Sequence, residues 1–191
     1  NAGIAIGAIL FVVALLGVIA VAMSSGSSTV GSTVTADRVR SDLRSQGNLI
    51  RAKILECNQY SSDRGELADK YPASTGTGTA VDALHCLAYD STGTQTALTP
   101  LWTGARSASL PPPTTGFDSW YYVNAGASAG RCIRIQPLAA FVNDAGIRTG
   151  LAQAATSFSS QELVYGAGSA SQRFILWITN PTGAASADCS S

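Results

Sequence analysis

The first two dozen residues constrain this chain more than any other feature. Residues 2–23 read AGIAIGAILFVVALLGVIAVAM and contain no charged side chain. As an α-helix, a run of this length spans about 33 Å, which is enough to cross the hydrocarbon core of a bilayer. Because the run is apolar on every side, it does not suit the surface of a soluble domain, where a helix needs one polar face. We therefore expect residues 1–23 to form a helix that lies in a membrane or in a protein core that replaces one.

The start of the chain indicates a processed protein. The first residue is Asn1, and the single methionine is Met23. Cleavage directly before the apolar run would produce this start, as would trimming of a longer chain, and we expect the former. No basic segment precedes the run, and residues 24–33 contain no convincing signal-peptidase site, so an uncleaved secretory signal fits poorly.

Two segments of different character follow the apolar run. Residues 24–33 read SSGSSTVGST, and their serine and glycine content disfavours helix, which predicts a break or a linker. Residues 34–58 carry apolar side chains at helical spacing: Ala36, Val39, Leu43, Ile50, Ile54 and Cys57. This spacing predicts an amphipathic helix, with Thr35 as its N-cap, that packs its apolar stripe on the domain behind it.

The four cysteines are widely spaced, and their pattern indicates disulfides. They are Cys57, Cys86, Cys132 and Cys189, without a C-x-x-C pair and with one histidine in the chain. A zinc site would need closer pairs or more histidines. Behind a membrane segment, an even count predicts two disulfides in an oxidising compartment. Three pairings are possible, and we favour Cys57–Cys86 with Cys132–Cys189 because each joins neighbours in sequence.

Strand patterns occur in the last third of the chain. Residues 119–124 and 131–138 flank the turn-rich AGASAG segment and predict one β-hairpin. Residues 161–166 and 172–180 predict a second hairpin. The predicted fold class is therefore α+β. A long helix, first hydrophobic and then amphipathic, carries a small antiparallel sheet in a globular domain at 59–191 that two disulfides close.

The remaining segments predict short helices and loops. Residues 80–89 predict a short helix that carries Cys86, and residues 139–158 predict another, interrupted near Gly146 and Gly150. Composition predicts loops over three stretches: 74–79, 91–96 and 109–116. The last of these contains three consecutive prolines, which we interpret as a stiff connector.

Charge and chemistry argue against an enzyme or a nucleic-acid-binding protein. The chain has 12 basic and 12 acidic residues, so it has no general attraction for nucleic acid. His85 is the single histidine, and no G-x-S-x-G sequence could supply a nucleophile for it. No Asp-rich calcium loop and no complete nucleotide-binding glycine motif is present. We predict no catalytic, metal or cofactor site and no small-molecule substrate.

The order of these segments resembles a mature type IV pilin or pilin-like protein. The resemblance covers the whole chain in architecture and residues 1–57 in pattern. It implies cleavage by a prepilin peptidase before the apolar run, anchoring in the inner membrane, and later packing of that helix with identical subunits in an extracellular filament. The implied partners are those subunits and the assembly machinery, and the implied C-terminal disulfide loop runs from Cys132 to Cys189. The implied filament-core residues are Ile4, Ile6, Ile9, Leu10, Phe11, Val12, Val13, Leu15, Leu16, Val18, Ile19 and Val21.

Two positions depart from the family pattern. The family usually begins with a methylated phenylalanine where this chain has Asn1, and it usually has a glutamate where this chain has Ala5. That glutamate is thought to meet the N-terminal amine of a neighbour during assembly. Its absence leaves a minor or tip pilin, a secretion pseudopilin, or a filament that docks without the ion pair. A single-pass anchored domain that binds a partner outside the cytoplasm is a further alternative.

Overall fold

Residues 31–59 form one helix, α1, in a computed structural model that describes residues 31–59, 71–89, 95–102, 110–166 and 172–190. The predicted filament core at 1–23 and most of the predicted linker lie outside these residues. No helix within the described ranges is both long enough and apolar enough to span a bilayer.

One face of α1 is buried along its length. The six residues of the apolar stripe are each exposed by 2 % or less: Ala36, Val39, Leu43, Ile50, Ile54 and Cys57. Gly47 lies on the same face, where an added Cβ would stand 3.5 Å from Leu176 and 3.6 Å from Trp120. Asp37, Arg40 and Arg44 are exposed on the opposite side. The helix is therefore amphipathic, and its stripe packs on the rest of the domain.

The helix also includes the end of the predicted linker. Residues 31–33 are helical, and the Thr35 hydroxyl donates to the Gly31 carbonyl at 2.9 Å, so Thr35 is not the N-cap. A Cβ added at Gly146 would stand 3.0 Å from the Ser32 carbonyl and 2.9 Å from the Thr35 Cβ. This close tertiary contact offsets the weak helix propensity of the serine- and glycine-rich sequence.

The strands form two antiparallel sheets. In chain order they are β1 (Thr79–Ala80), β2 (His85–Tyr89), β3 (Gln95–Pro100), β4 (Tyr121–Asn124), β5 (Arg131–Ile135), β6 (Leu163–Tyr165) and β7 (Phe174–Thr179). Within the described residues, five strands pair in the order β1-β4-β5-β7-β6, and β2 pairs with β3 separately. The two hairpins predicted in the last third, β4–β5 and β6–β7, are confirmed by their antiparallel pairing.

The described residues contain two further α-helices. They are α2 (Gly126–Ala129), in the turn between β4 and β5, and α3 (Ala145–Ala155). The predicted interruption at Gly146 and Gly150 is wrong, because α3 runs through both glycines. A Cβ at Gly150 would stand 2.6 Å from the Val39 Cβ and 2.8 Å from the Ala36 carbonyl. The glycines therefore allow α3 to cross α1 at close range.

The region around Cys86 differs from the prediction. The expected helix at 80–89 is a single 3-10 turn, Val81–Ala83, followed by strand β2. Part of the predicted loop at 91–96 belongs to strand β3, which begins at Gln95. Short apolar runs do not distinguish helix from strand. Antiparallel pairing of β2 with the next strand, β3, in which Leu87 stands opposite Leu98, decides the conformation here.

The five-stranded sheet is buried on both faces. One face packs with α1 through a large core whose fully buried members include Tyr122, Ile133, Ile135, Phe174 and Leu176. The other face has a smaller core of Val123, Cys132, Ile175, Trp177 and Cys189. Helix α1 covers the first face, and the C-terminal segment covers the second. The predicted α+β class, with a helix on a small antiparallel sheet and two disulfides, is confirmed in these terms.

The α1–α3 crossing gives a stability prediction. We expect Gly150→Ala to lower the free energy of unfolding by about 1–3 kcal/mol, because its Cβ would overlap the backbone and side chains of α1. Gly31→Ala is the matched control, since a Cβ there meets nothing within 4 Å and alanine gains up to about 1 kcal/mol in helix propensity. Denaturant unfolding of the detergent-solubilised chain, followed by circular dichroism, measures both. A Gly150→Ala chain as stable as the parent would rule out the close crossing.

Candidate assembly site

The structure describes some of the predicted site residues. The twelve filament-core residues from Ile4 to Val21 lie outside the described ranges. All four cysteines are paired: Cys57 with Cys86 at a Cα–Cα distance of 5.3 Å, and Cys132 with Cys189 at 5.9 Å. Both favoured pairings are thus confirmed.

The Cys57–Cys86 bridge attaches the β2–β3 hairpin to the last turns of α1. A two-stranded hairpin is marginally stable by itself in water. Here two hydrogen bonds close the hairpin at its base. The Trp102 indole donates to the Val81 carbonyl at 2.7 Å, and the Leu101 amide donates to the Leu84 carbonyl at 2.8 Å. The hairpin is therefore fixed beside the C-terminal end of α1.

The Cys132–Cys189 bridge closes the C-terminal segment over the outer face of the sheet. Both cysteines are fully buried, and they contribute to the smaller core. Arg134 supports the same closure, because its guanidinium lies 3.7 Å from the Asp188 carboxylate and 5.5 Å from the centre of the Tyr121 ring. The disulfide and this ion pair therefore hold the end of the segment at two adjacent residues, Asp188 and Cys189.

A buried glutamine joins α1 to the proline-rich segment. Gln46 is 6 % exposed; its Oε1 accepts from the Trp120 indole at 2.9 Å, and its Nε2 donates to the Pro112 carbonyl at 2.9 Å. One turn earlier on the helix, Asp42 accepts from the buried Thr114 hydroxyl at 3.3 Å. The connector predicted at 109–116 is therefore bonded along α1. Sequence reasoning missed Gln46, although a polar residue at a stripe position was the available signal.

An ion pair joins α1 to the edge of the sheet. The Arg51 guanidinium donates to the Glu162 carboxylate at 2.8 Å. Glu162 lies directly before β6. The Ser159 amide and hydroxyl donate to the other carboxylate oxygen at 3.3 and 3.0 Å. Hydrogen bonds from Arg51 first, and then from Ser159, hold the pKa of the Glu162 carboxyl below its ordinary value of 4.5. The charged form of Glu162 is therefore favoured in the folded chain.

The exposed side of α1 forms an open groove of about 440 Å³. The described residues that line it are polar or charged: Asp37, Arg40, Ser41, Arg44, Ser45 and Asn48. The groove holds charges of both signs together with hydroxyl and amide groups, but no thiol and no histidine.

His85, the chain's single histidine, has a local structural contact. Its Nδ1 lies 2.9 Å from the Ala83 carbonyl, which can only accept, so Nδ1 donates. Within the described ranges, no three histidine, cysteine, aspartate or glutamate side chains come together as metal ligands.

Comparison with known proteins adds no relative. No family model, no curated protein and no solved structure matches this chain. Its candidate function therefore rests on its own sequence and geometry.

The Gln46 contacts give a second prediction. We expect Gln46→Leu to lower the free energy of unfolding by about 1–3 kcal/mol, because it leaves the Trp120 indole and the Pro112 carbonyl without their partner. Asn48→Leu, at an exposed position of the same helix, is the control and changes stability by about 0.5 kcal/mol or less. Chemical unfolding followed by tryptophan fluorescence reports both values. Equal effects from the two variants would show that the Gln46 hydrogen bonds do not stabilise the fold.

The Glu162 carboxyl gives a prediction for pH dependence. Because its pKa is lowered by folding, its contribution is present above the ordinary value and is lost as the pH falls below it. At neutral pH, Glu162→Gln should destabilise the chain by about 0.5 kcal/mol, a modest value because the pair is partly exposed. At a pH below 4.5 the difference from the parent should be smaller. Unfolding curves at both pH values test this, and an unchanged difference would contradict it.

Proposed function

We propose that this chain is a pilin-like structural subunit, which polymerises through its apolar N-terminal run into an extracellular filament. The observation that supports this most is the placement of α1. This amphipathic helix carries the whole described domain on one face, and residues 24–30 alone separate it from the uncharged run that ends at Met23. Such a chain has one part for a membrane or filament core and another part for the outside.

Attachment of the domain to α1 supports this role. The helix is held to the domain at its middle by Gln46, one turn further by Arg51, and near its C-terminal end by Cys57. Force applied along the helix would therefore reach the proline-rich segment, the edge strand and the hairpin through separate contacts. A subunit of a long polymer needs this kind of connection between its core helix and its outer domain.

The apolar run supplies a physical reason to polymerise. A segment that leaves lipid must bury its surface again, and identical copies offer an equally apolar surface. Its small residues would let helices approach closely: Ala2, Gly3, Ala5, Gly7, Ala8, Ala14 and Gly17. One heterologous contact that repeats without closing a ring gives an open helical polymer. The two disulfides suit the oxidising conditions outside the cytoplasm.

A minor or tip pilin, or a secretion pseudopilin, is the second candidate. Ala5 favours it, because an alanine cannot form the ion pair that major subunits of the family use between neighbours. Abundance separates the two candidates: a major subunit accounts for nearly all protein of purified filaments, and a minor subunit for a small share. An anchored binding domain would instead stay discrete in detergent and would be missing from filaments.

Charge in the apolar run tests the polymerisation proposal. We expect Val12→Asp to abolish incorporation of the chain into filaments, because it places an unpaired carboxylate in an apolar bundle. Val12→Leu keeps the run apolar and should leave incorporation at the level of the parent. Immunogold electron microscopy of surface filaments, with quantification of the chain in the sheared fraction, measures both.

The amount of membrane-bound chain must be measured in the same cells. Equal membrane levels of Val12→Asp and Val12→Leu, with filaments containing only the latter, would place the defect in assembly. Normal incorporation of Val12→Asp would exclude the run from a filament core.

A further inference from the structure

The charged side chains of α1 fall into two sets. One set forms three ion pairs: Arg38–Asp42, Arg51–Glu162 and Lys53–Glu56. The other set consists of Asp37, Arg40 and Arg44, and within the described residues none of these three side chains has an ion-pair or hydrogen-bond partner. The second set is therefore free to pair with groups outside this domain.

All three unpaired charges line the groove on the exposed side of α1. The groove extends over residues 37–48, which is about 16 Å along the helix axis. Between the charged side chains lie Ser41 and Ser45, whose short side chains allow a second helix to approach α1 closely. The three charges thus share one surface, and that surface has room for a partner helix.

The spacing of the charges makes the groove complementary to itself. Asp37 and Arg44 are seven residues apart, which is about two turns, or about 10.5 Å along the axis. When a second copy of α1 lies parallel in the groove with that axial shift, its Asp37 is level with Arg44 of the first copy. Arg44 of the second copy then remains available to Asp37 of a third copy. The contact therefore repeats without closing, as the contact of an open polymer must.

We propose that the groove of each subunit holds α1 of a neighbouring copy, and that Asp37 and Arg44 form an ion pair between the two copies. This inference rests on the proposed filament, because apolar runs that lie together require parallel helices. A guanidinium binds a carboxylate by charge-assisted hydrogen bonds, and Arg40 adds positive charge one turn before Arg44. The pair fixes the axial register of neighbouring subunits, in a chain that has Ala5 in place of the usual glutamate.

Charge reversal tests the ion pair in cells that make the filaments. Asp37→Arg and Arg44→Asp each place like charges opposite one another at every contact. We therefore expect either change to lower the yield of sheared filaments about fivefold or more. The double variant restores opposite charges in exchanged positions, and its yield should return to within about twofold of the parent.

Arg38→Asp is the matched control. It changes the net charge as Arg44→Asp does and lies on the same helix, but Arg38 pairs with Asp42 and is not among the described residues that line the groove. Because exposed ion pairs contribute little to stability, this variant should give the filament yield of the parent. Immunoblots and non-reducing peptide maps of the membrane fraction check that each variant accumulates with both disulfides formed.

A photocrosslink determines the orientation of the neighbouring helix. The photoreactive p-benzoylphenylalanine replaces Asn48, which is exposed and lines the groove. A parallel neighbour shifted by two turns places its Ser41 level with this probe. An antiparallel neighbour that pairs Asp37 with Arg44 in both directions places its Thr33 there instead. In irradiated filaments we therefore expect adducts in the tryptic peptide that runs from Ser41 to Arg44, mapped by mass spectrometry.

Each outcome supports the contact or overturns it. An unchanged yield from either single reversal, or a double variant that does not recover, would overturn the ion pair, and filaments that still form would leave the polymerisation proposal intact. Adducts around Thr33, or adducts to a different protein, would overturn the parallel contact between copies. A parent chain that forms no filaments would contradict the proposed function and this contact together.

Discussion

The apolar stripe of α1 packs along one face of the five-stranded sheet, and the other parts of the domain attach to that pair. An isolated helix of this sequence gains little stability in water, because glycine, serine and asparagine interrupt its strong helix formers. Burial of the stripe stabilises it against the sheet. Each neighbouring segment then contacts α1 directly: α3 through its glycines, the proline-rich segment through Gln46, and the β2–β3 hairpin through Cys57.

This packing leaves the second face of the sheet to be covered by something else. The side chains of Val123, Ile175 and Trp177 lie on that side, and they would be exposed to solvent if nothing packed over them. The C-terminal segment supplies it, held by Cys189 and by the Asp188–Arg134 ion pair. The result is a three-layer order of helix, sheet and C-terminal segment, in which α1 and the disulfide-closed segment lie on opposite sides. A subunit that packs by its helix would present the C-terminal segment outwards.

The sequence alone predicted those parts of the fold that depend on residues close together in the chain. The stripe from Ala36 to Cys57, the two hairpins and the disulfide pairing needed only periodicity, turn composition and sequence proximity. The misses came from contacts between distant residues. Gly146 and Gly150 look like helix breakers until α1 lies against them, and Gln46 is explained by Trp120 and Pro112. Strand β3 was missed for a different reason, because its hairpin with β2 has little periodic signal in the sequence. For the candidate site, the cysteines were predictable, but the Arg51–Glu162 ion pair required the fold.

We propose that the apolar run at 2–23 exchanges lipid for contact with identical subunits, and that α1 carries the disulfide-closed domain outside the cytoplasm. Helical reconstruction from electron micrographs of surface material, with mass identification of its proteins, tests this claim most directly. We expect filaments that contain this chain, with residues 2–23 at the axis, α1 facing inwards and the segment closed by Cys189 facing outwards. A chain that is missing from all filaments and stays discrete in detergent would contradict it.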